Sequence, residues 1–467
     1  MPNDDLAATL PLNPITSGYS DRKESETQTD KERIESNMRP LRWLFGLCVT
    51  PQAVGVLTGQ DASSEGQPLP PSQDPWYRAP PGFDRKQPGG ILKIRIAPGN
   101  LTSVVGNPSA AYHILYRTTD STSKPSWAVT TLFIPPSFHF SPSGKAALLS
   151  YQFAYNTANL DSSPSIGLYW RLAQENRHLG LKSSTSLVNE MLTRGWIVNT
   201  PDYMGPDAAF GASKQAGQAT IDSIRAVHNL ANMTGNMPIN MAIWGYSGGS
   251  IATLAAAQLA PRYAPELKIE GTVVGGLVDD ISADFDNINK SPIAGTLIAL
   301  LLGITAQYPE ATAYLESRLV PETKTEFLSV RDMNAGDALP KFAGKDIYAY
   351  FIGGAEDLQA PILQKLYDDQ AKLSDKGVPS MPIFVYKAIK DEYCPVEQTD
   401  STVKTFCEAG ADIRYDRNTV GSHVLEIENG KPRAMTWLDG IFNESHITPP
   451  SGCTVHNVSV DVVGKPS

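Results

Sequence analysis

The chain has 467 residues, 41% of them hydrophobic and 19% charged, with a formal net charge of −10. That composition supports a large packed core, one α/β domain with an insertion or two domains, and excludes wholesale disorder. An acidic surface repels phosphate backbones and sets aside nucleic acid as a partner. The four cysteines show no CxxC or Cys/His spacing, so no metal and no cofactor is expected.

Residues 1–37 are polar, charged and without periodicity. They read as a disordered arm or a mispredicted extension ahead of a true start at Met38. Residues 38–60, "MRPLRWLFGLCVTPQAVGVLTGQ", place basic residues before an apolar stretch and small residues after it, the pattern of a signal peptide. A buried core helix is the competing reading. Pro51 and the short apolar length argue against it and against a stable transmembrane anchor. Secretion is therefore expected, and the N-x-S/T sequences at Asn100, Asn232, Asn289, Asn443 and Asn457 fit it.

Residues 61–90 are rich in Pro, Ser, Gly and Gln and read as an extended arm. Strand-like runs follow at 91–98, 111–118, 127–135, 145–154, 196–203, 240–246 and 269–277. Short turns join the early runs, and helical patterns such as 219–233 separate the later ones. That order predicts a sheet with an antiparallel start and a doubly wound, mostly parallel body with helices on both faces. The first part of this core spans 91–280. Residues 281–378 break the rhythm with helical patterns, including the uncharged "IAGTLIALLLGI" at 293–304, and read as an inserted cap. Strands at 381–389 and 411–418 and a helix at 431–442 return the chain to the core, whose second part and tail occupy 379–467.

"MAIWGYSGGS" carries the chemistry. A serine raised on a tight strand-to-helix turn is strained, and side chains two positions either side would collide across the turn. Gly245 and Gly249 satisfy that G-x-S-x-G requirement. Ser247 is thus the candidate nucleophile, with the backbone N–H of Gly248 as an oxyanion donor at the N-terminus of the following helix. A glycine-rich turn with an idle serine is the bland reading. The preceding strand and the following alanine-rich helix favour catalysis.

On this arrangement the order along the chain is serine, acid, histidine. His113, His139, His178 and His228 precede Ser247, and His446 and His456 lie past the last helix, which leaves His423 as the base. Asp391, just past the strand at 381–389, is the preferred acid. Glu392 is its neighbour, and Asp279 and Asp280 are rivals one strand earlier.

With these residues in view, the sequence resembles the fungal secretory lipases, the family that includes the lipase A type of yeasts. The resemblance rests on "LLSYQFAYNTANLDSSPS", "NTPDYMGPDAAFGASKQAGQATIDSIRA", "GYSGG", "KDEYCPV" and "CEAGADIRYDRNTVGSHVLEI". It implies an α/β-hydrolase fold with a helical cap over an acyl-binding tunnel, and cleavage of triacylglycerols or simpler esters. It implies the same Ser247, Asp391 and His423, and a disulfide between Cys407 and Cys453. It also places the second oxyanion residue at Asn156, where family members carry an aspartate. A cysteine expected near Ser162 is absent, which leaves Cys394 free, and the tail ends soon after Cys453.

The expectation is a secreted serine lipase or esterase working through an acyl-enzyme, on a lipid or other ester substrate, with transient contact to a lipid interface. An acyltransferase using the same triad is the alternative. A non-catalytic binding protein of this fold is disfavoured because all three triad residues are present. If the apolar cap helix lines an acyl tunnel rather than only forming the cap's own core, Leu297, Leu300 and Leu301 are its candidate walls.

Overall fold

In the computed structural model, which describes residues 68–99, 101–106, 108–169, 181–233, 236–446 and 452–462, one ten-stranded sheet organises the chain. The expected N-terminal extension and signal peptide, residues 1–60, lie outside the described residues. The strands are β1 (Ile91–Ile96), β2 (Ala110–Thr119), β3 (Pro125–Ile134), β4 (Ala146–Gln152), β5 (Ile197–Pro201), β6 (Ile239–Tyr246), β7 (Ile269–Gly275), β8 (Ile383–Ala388), β9 (Ile413–Asn418) and β10 (Cys453–Val458). Their order across the sheet is β1-β2-β3-β5-β4-β6-β7-β8-β9-β10. The β1/β2, β2/β3 and β3/β5 pairs are antiparallel, and every pair from β5/β4 to β9/β10 is parallel. Parallel strands covered on both faces are buried at every position and are mostly apolar. β4 and β8 are buried along their whole length, with Ser150, Gln152 and Lys387 as their polar members.

The two faces of β6 show how the layers are built. Odd-numbered Gly245 points at α3 (Gly248–Tyr263), where an added Cβ would lie 2.4 Å from Thr253 Oγ1. Even-numbered Asn240 and Tyr246 turn to the other face and hydrogen-bond backbone carbonyls of Ile441 and His423 in α10 (His423–Phe442). Preceding helices complete each layer. α2 (Ser213–Met233) packs beside α3, and α1 (Leu181–Thr193) is tied to α10 by the Arg194–Asp439 ion pair at 2.5 Å.

Between β7 and β8 the chain leaves the sheet for the helical insert: α4 (Ala294–Thr305), α5 (Pro309–Ser317), α6 (Pro321–Leu328), α7 (Ala335–Phe342) and α8 (Pro361–Gln370). Small residues let this insert sit close. A Cβ on Gly295 would meet the Ala338 carbonyl oxygen at 2.6 Å, and one on Gly303 would meet the backbone of Phe210 at 2.5 Å. After β8 comes α9 (Val396–Glu408), then β9 and α10.

Three features depart from the sequence expectation. Residues 68–90 are not a free arm: Trp76 and Tyr77 are buried against Leu115 and Val129. Two aromatic side chains bury enough apolar surface to hold an otherwise polar segment down. α10 begins at His423 rather than at residue 431, because Asn429, Gly430 and Pro432 read as breakers but are accommodated inside it. Gly430 is used for close approach, since a Cβ there would lie 2.1 Å from the Tyr386 ring. Finally, the tail adds β10 alongside β9, where no strand was expected, while Cys453 at its start makes the expected disulfide with Cys407 of α9 through a 2.07 Å S–S bond.

Candidate active site

The turn between β6 and α3 has the strain its glycines suggest. Ser247 sits at φ 52°, ψ −126°, outside the regions favoured by L-residues. A Cβ on Gly245 would fall 2.3 Å from the Gly249 carbonyl oxygen, and one on Gly249 would fall 2.0 Å from that of Gln152. Neither position can carry a side chain. The turn is anchored by Ser247 N–H donating to Gly275 O at 3.0 Å, and by Ser250 Oγ donating to Ser247 O at 2.6 Å.

His423 lies opposite, at the start of α10. Its Nε2 is 2.8 Å from Ser247 Oγ and its Nδ1 is 2.7 Å from Asp391 Oδ2. Burial pushes the Asp391 carboxyl up, but the His423 hydrogen bond and charge, the Lys387 ammonium and the Cys394 N–H outweigh it and bring the group to about 2. An ionised carboxylate only accepts, so Nδ1 carries the proton and Nε2 is left to accept from the serine hydroxyl. Asp391 Oδ1 accepts from the N–H groups of Tyr393 (3.1 Å) and Cys394 (2.9 Å), which fixes its plane.

The rival carboxylates are elsewhere. Asp279 is buried and accepts from Thr402 Oγ1, and Asp280 accepts from Ser282 Oγ at 2.8 Å. Glu392 has a different place: its Oε2 accepts the backbone N–H of His423 at 2.8 Å, while Tyr246 Oη donates to the His423 carbonyl at 2.6 Å. The histidine backbone is thus gripped at both ends. Buried Glu426, hydrogen-bonded to Asn418 and ion-paired with Arg433, secures the first turn of α10.

Asn156 is brought against Gly248, so that a Cβ on that glycine would lie 1.9 Å from Asn156 Oδ1. Its backbone is held at φ 36°, a conformation asparagine tolerates better than most residues. Gly248 begins α3, with its amide at the positive end of the helix. Both groups border Ser247.

Above the serine a cavity of about 510 Å³ opens between the sheet and the insert. Its walls are mainly apolar, with Phe153, Trp244, Tyr386, Phe210, Ile251 and Val278 among them. Leu297 and Leu300 of α4 line it, and Leu301 does not. At 100° per residue, Ile293, Leu297 and Leu300 share one stripe. Leu301 is turned off that stripe and is buried in the core instead. Glu428 and Lys431 of α10, ion-paired at 2.9 Å, also border the cavity.

The family model for the secretory lipases matches residues 175–449. The chain belongs to the secretory lipase family. Its relatives include a probable trichothecene esterase of Stachybotrys chartarum, 60% identical over 92% of this chain and 88% of that protein. They also include a trichothecene C-3 esterase of Fusarium sporotrichioides, 41% identical over 90% of this chain and 93% of that one. Lipase A of Arthroderma benhamiae is 34% identical over 85% of this chain and 84% of its own. The structure of Candida antarctica lipase A in its closed state superposes with a TM-score of 0.77 at 24% identity, covering 86% of this chain and 93% of that chain. That likeness gives the α/β-hydrolase fold. The family and its esterase and lipase relatives make this chain a carboxylic ester hydrolase.

Several groups at the site of this secretory lipase had no sequence signal. The aromatic walls from β4, β6 and β8 read as ordinary core residues, because a buried strand looks the same whether it borders a cavity or a helix. Lys387 did carry a weak sign, as a lysine inside the otherwise apolar run "IFVYKA". Cys394 is a free, buried thiol on the cavity wall.

Proposed function

We propose that this member of the family is an exported serine esterase that cleaves an ester of a trichothecene-like alcohol by way of an acyl-enzyme. The observation that carries the mechanism is the continuous hydrogen-bonded run Ser247–His423–Asp391 at the floor of an apolar cavity. In the first half-reaction Ser247 Oγ attacks the acyl carbon as its proton passes to His423 Nε2. The Gly248 N–H and the Asn156 amide receive the charge that develops on the carbonyl oxygen. His423 then gives its proton to the departing alcohol. A water molecule, deprotonated by His423, repeats the sequence to release the acid. Asp391 stays ionised and stabilises the imidazolium at each stage.

Support for the alcohol comes from two sides. The two trichothecene esterases align along nearly the whole chain, at higher identity than the lipases. The cavity, about 510 Å³, has aromatic side chains in its walls and is bordered by the Glu428–Lys431 ion pair, which suits a compact alcohol carrying oxygen substituents. Export is supported by the 38–60 segment, by the family and by the Cys407–Cys453 bond.

The test compares kcat/KM for a trichothecene C-3 acetate, p-nitrophenyl acetate and an emulsified triacylglycerol, each with Ser247→Ala alongside. The trichothecene ester should lead by at least tenfold, and the alanine variant should lose several powers of ten on every substrate. Preference for the emulsion would replace the alcohol with glycerol. An active Ser247→Ala would end the serine mechanism.

A further inference from the structure

A lysine in the middle of a buried strand is costly unless its charge is used. Lys387 stands on β8 with its side chain wholly buried. Its Nζ donates to the Leu277 carbonyl at 2.7 Å and lies 3.4 Å from Asp391 Oδ2. That oxygen is also the one that accepts the hydrogen bond from His423 Nδ1. The other oxygen, Oδ1, is taken by two backbone N–H groups. Lys387 is therefore the one side-chain cation directly on the candidate acid among the described residues.

We propose that Lys387 is a positioning residue for the esterase reaction: its ammonium holds Asp391 as a carboxylate and offsets part of the negative charge that Asp391 presents to His423. This rests on the Ser247–His423–Asp391 reading. A purely structural role is a poor explanation, because a buried ammonium with one backbone acceptor is worse for stability than an apolar side chain of the same length. The charge also acts on Asp279 and Asp284, but Asp391 is the carboxylate it meets within ion-pair distance.

The other titratable groups around the pair are few. From the exit of β7 come Asp279, capped by Thr402 Oγ1, and Asp284, which accepts from Gln398 Nε2 at 2.9 Å. The turn after β8 adds Glu392, Tyr393 and Cys394. Glu392 is engaged by the His423 N–H, and the Tyr393 ring stands edge-on to the imidazole at 5.5 Å. Tyr246 reaches in from β6, and Glu426 from α10 itself. None of these is a cation. Removing Lys387 therefore leaves the Asp391 charge to act on the imidazole unopposed, which favours the imidazolium. The enzyme needs the neutral imidazole to begin, so the acidic limb of its pH profile should move to higher pH.

The experiment measures kcat/KM for p-nitrophenyl butyrate from pH 4 to 9 in wild type, Lys387→Met and Lys387→Gln, with circular dichroism to establish folding. Glutamine removes the charge but retains an N–H donor on a side chain one atom shorter, so it is the milder structural change of the two. Both variants should show the acidic limb displaced upward by roughly one pH unit, as loss of a unit charge beside the histidine's carboxylate partner would produce in a partly screened interior. A limb that coincides with wild type in the folded variants would overturn the assignment. Failure of both variants to fold would also overturn it, by making Lys387 a stability residue. Ser247→Ala, run in parallel, separates the two readings. Activity in that variant defeats the triad, whereas an inactive Ser247→Ala with an unmoved limb defeats only the role of Lys387.

Discussion

Leu297→Trp should shorten the acyl chains the enzyme accepts, and the structure sets the size of the effect. Leu297 lies on the wall of the cavity of about 510 Å³, on the same stripe of α4 as Leu300. Going from an acetate to a hexanoate adds four methylenes. At about 0.8 kcal/mol for each one buried, the longer ester gains at most ~3 kcal/mol, on the order of 200-fold in kcat/KM. An indole that takes the space of three of those methylenes should remove about 2.4 kcal/mol, or roughly 60-fold, from hexanoate. Acetate should stay within about threefold, since its methyl group needs none of that space. The assay is initial-rate hydrolysis of p-nitrophenyl acetate, butyrate and hexanoate by purified enzyme. Leu301→Ala is the control. Leu301 is fully buried but off the wall, so its truncation should cost about 2–5 kcal/mol of stability and leave the chain-length profile unchanged. Equal losses on acetate and hexanoate in Leu297→Trp would mean that the indole had only damaged the insert, and the acyl-channel argument would fall.

Asp391→Asn should lower kcat by several powers of ten with little change in KM, because an amide that donates toward Nδ1 selects the wrong imidazole tautomer; a loss below tenfold in pre-steady-state assays would reassign the acid. Asp202, buried and accepting from Ser165 N–H and Oγ, is raised to about 7, chiefly by burial. The unfolded chain loses that proton near pH 4 and the folded chain keeps it until about 7, so stability falls across this window, by up to roughly 4 kcal/mol. Asp202→Asn should erase that slope: the melting temperature of the variant relative to wild type should rise from pH 4 to pH 8, and a flat difference would refute the burial argument. Cys453→Ser opens a bridge spanning 46 residues, for which chain entropy gives about 4 kcal/mol at most. Because β10 is an edge strand, the expected result is early proteolytic loss of the tail with esterase activity largely retained, and equal loss of tail and activity would place β10 in the working core.

The sequence determined those parts of this protein that follow from local chemistry. Gly245 and Gly249 had to be glycines because a backbone carbonyl oxygen lies within 2.3 Å of any Cβ there, and that constraint is visible in the G-x-S-x-G spacing. The central parallel strands β4, β6 and β7 were legible as largely apolar runs, and position along the chain left one histidine in the right place. Other parts depended on partners distant along the chain. α10 runs through Asn429, Gly430 and Pro432 because Tyr386, on a strand far upstream, requires a glycine face to pack against. β10 is a strand only because β9 offers its edge and Cys407 holds its first residue. Leu297, Leu300 and Leu301 are alike as letters, and only the rotation of α4 against the sheet turned two of them into the cavity and one into the core. Choosing Asp391 over Asp279 was likewise a matter of reach, since both follow buried strands and only one carboxylate lies 2.7 Å from the histidine. Local sterics and periodicity are written residue by residue, whereas burial and charge pairing belong to surfaces that exist only once distant segments have met.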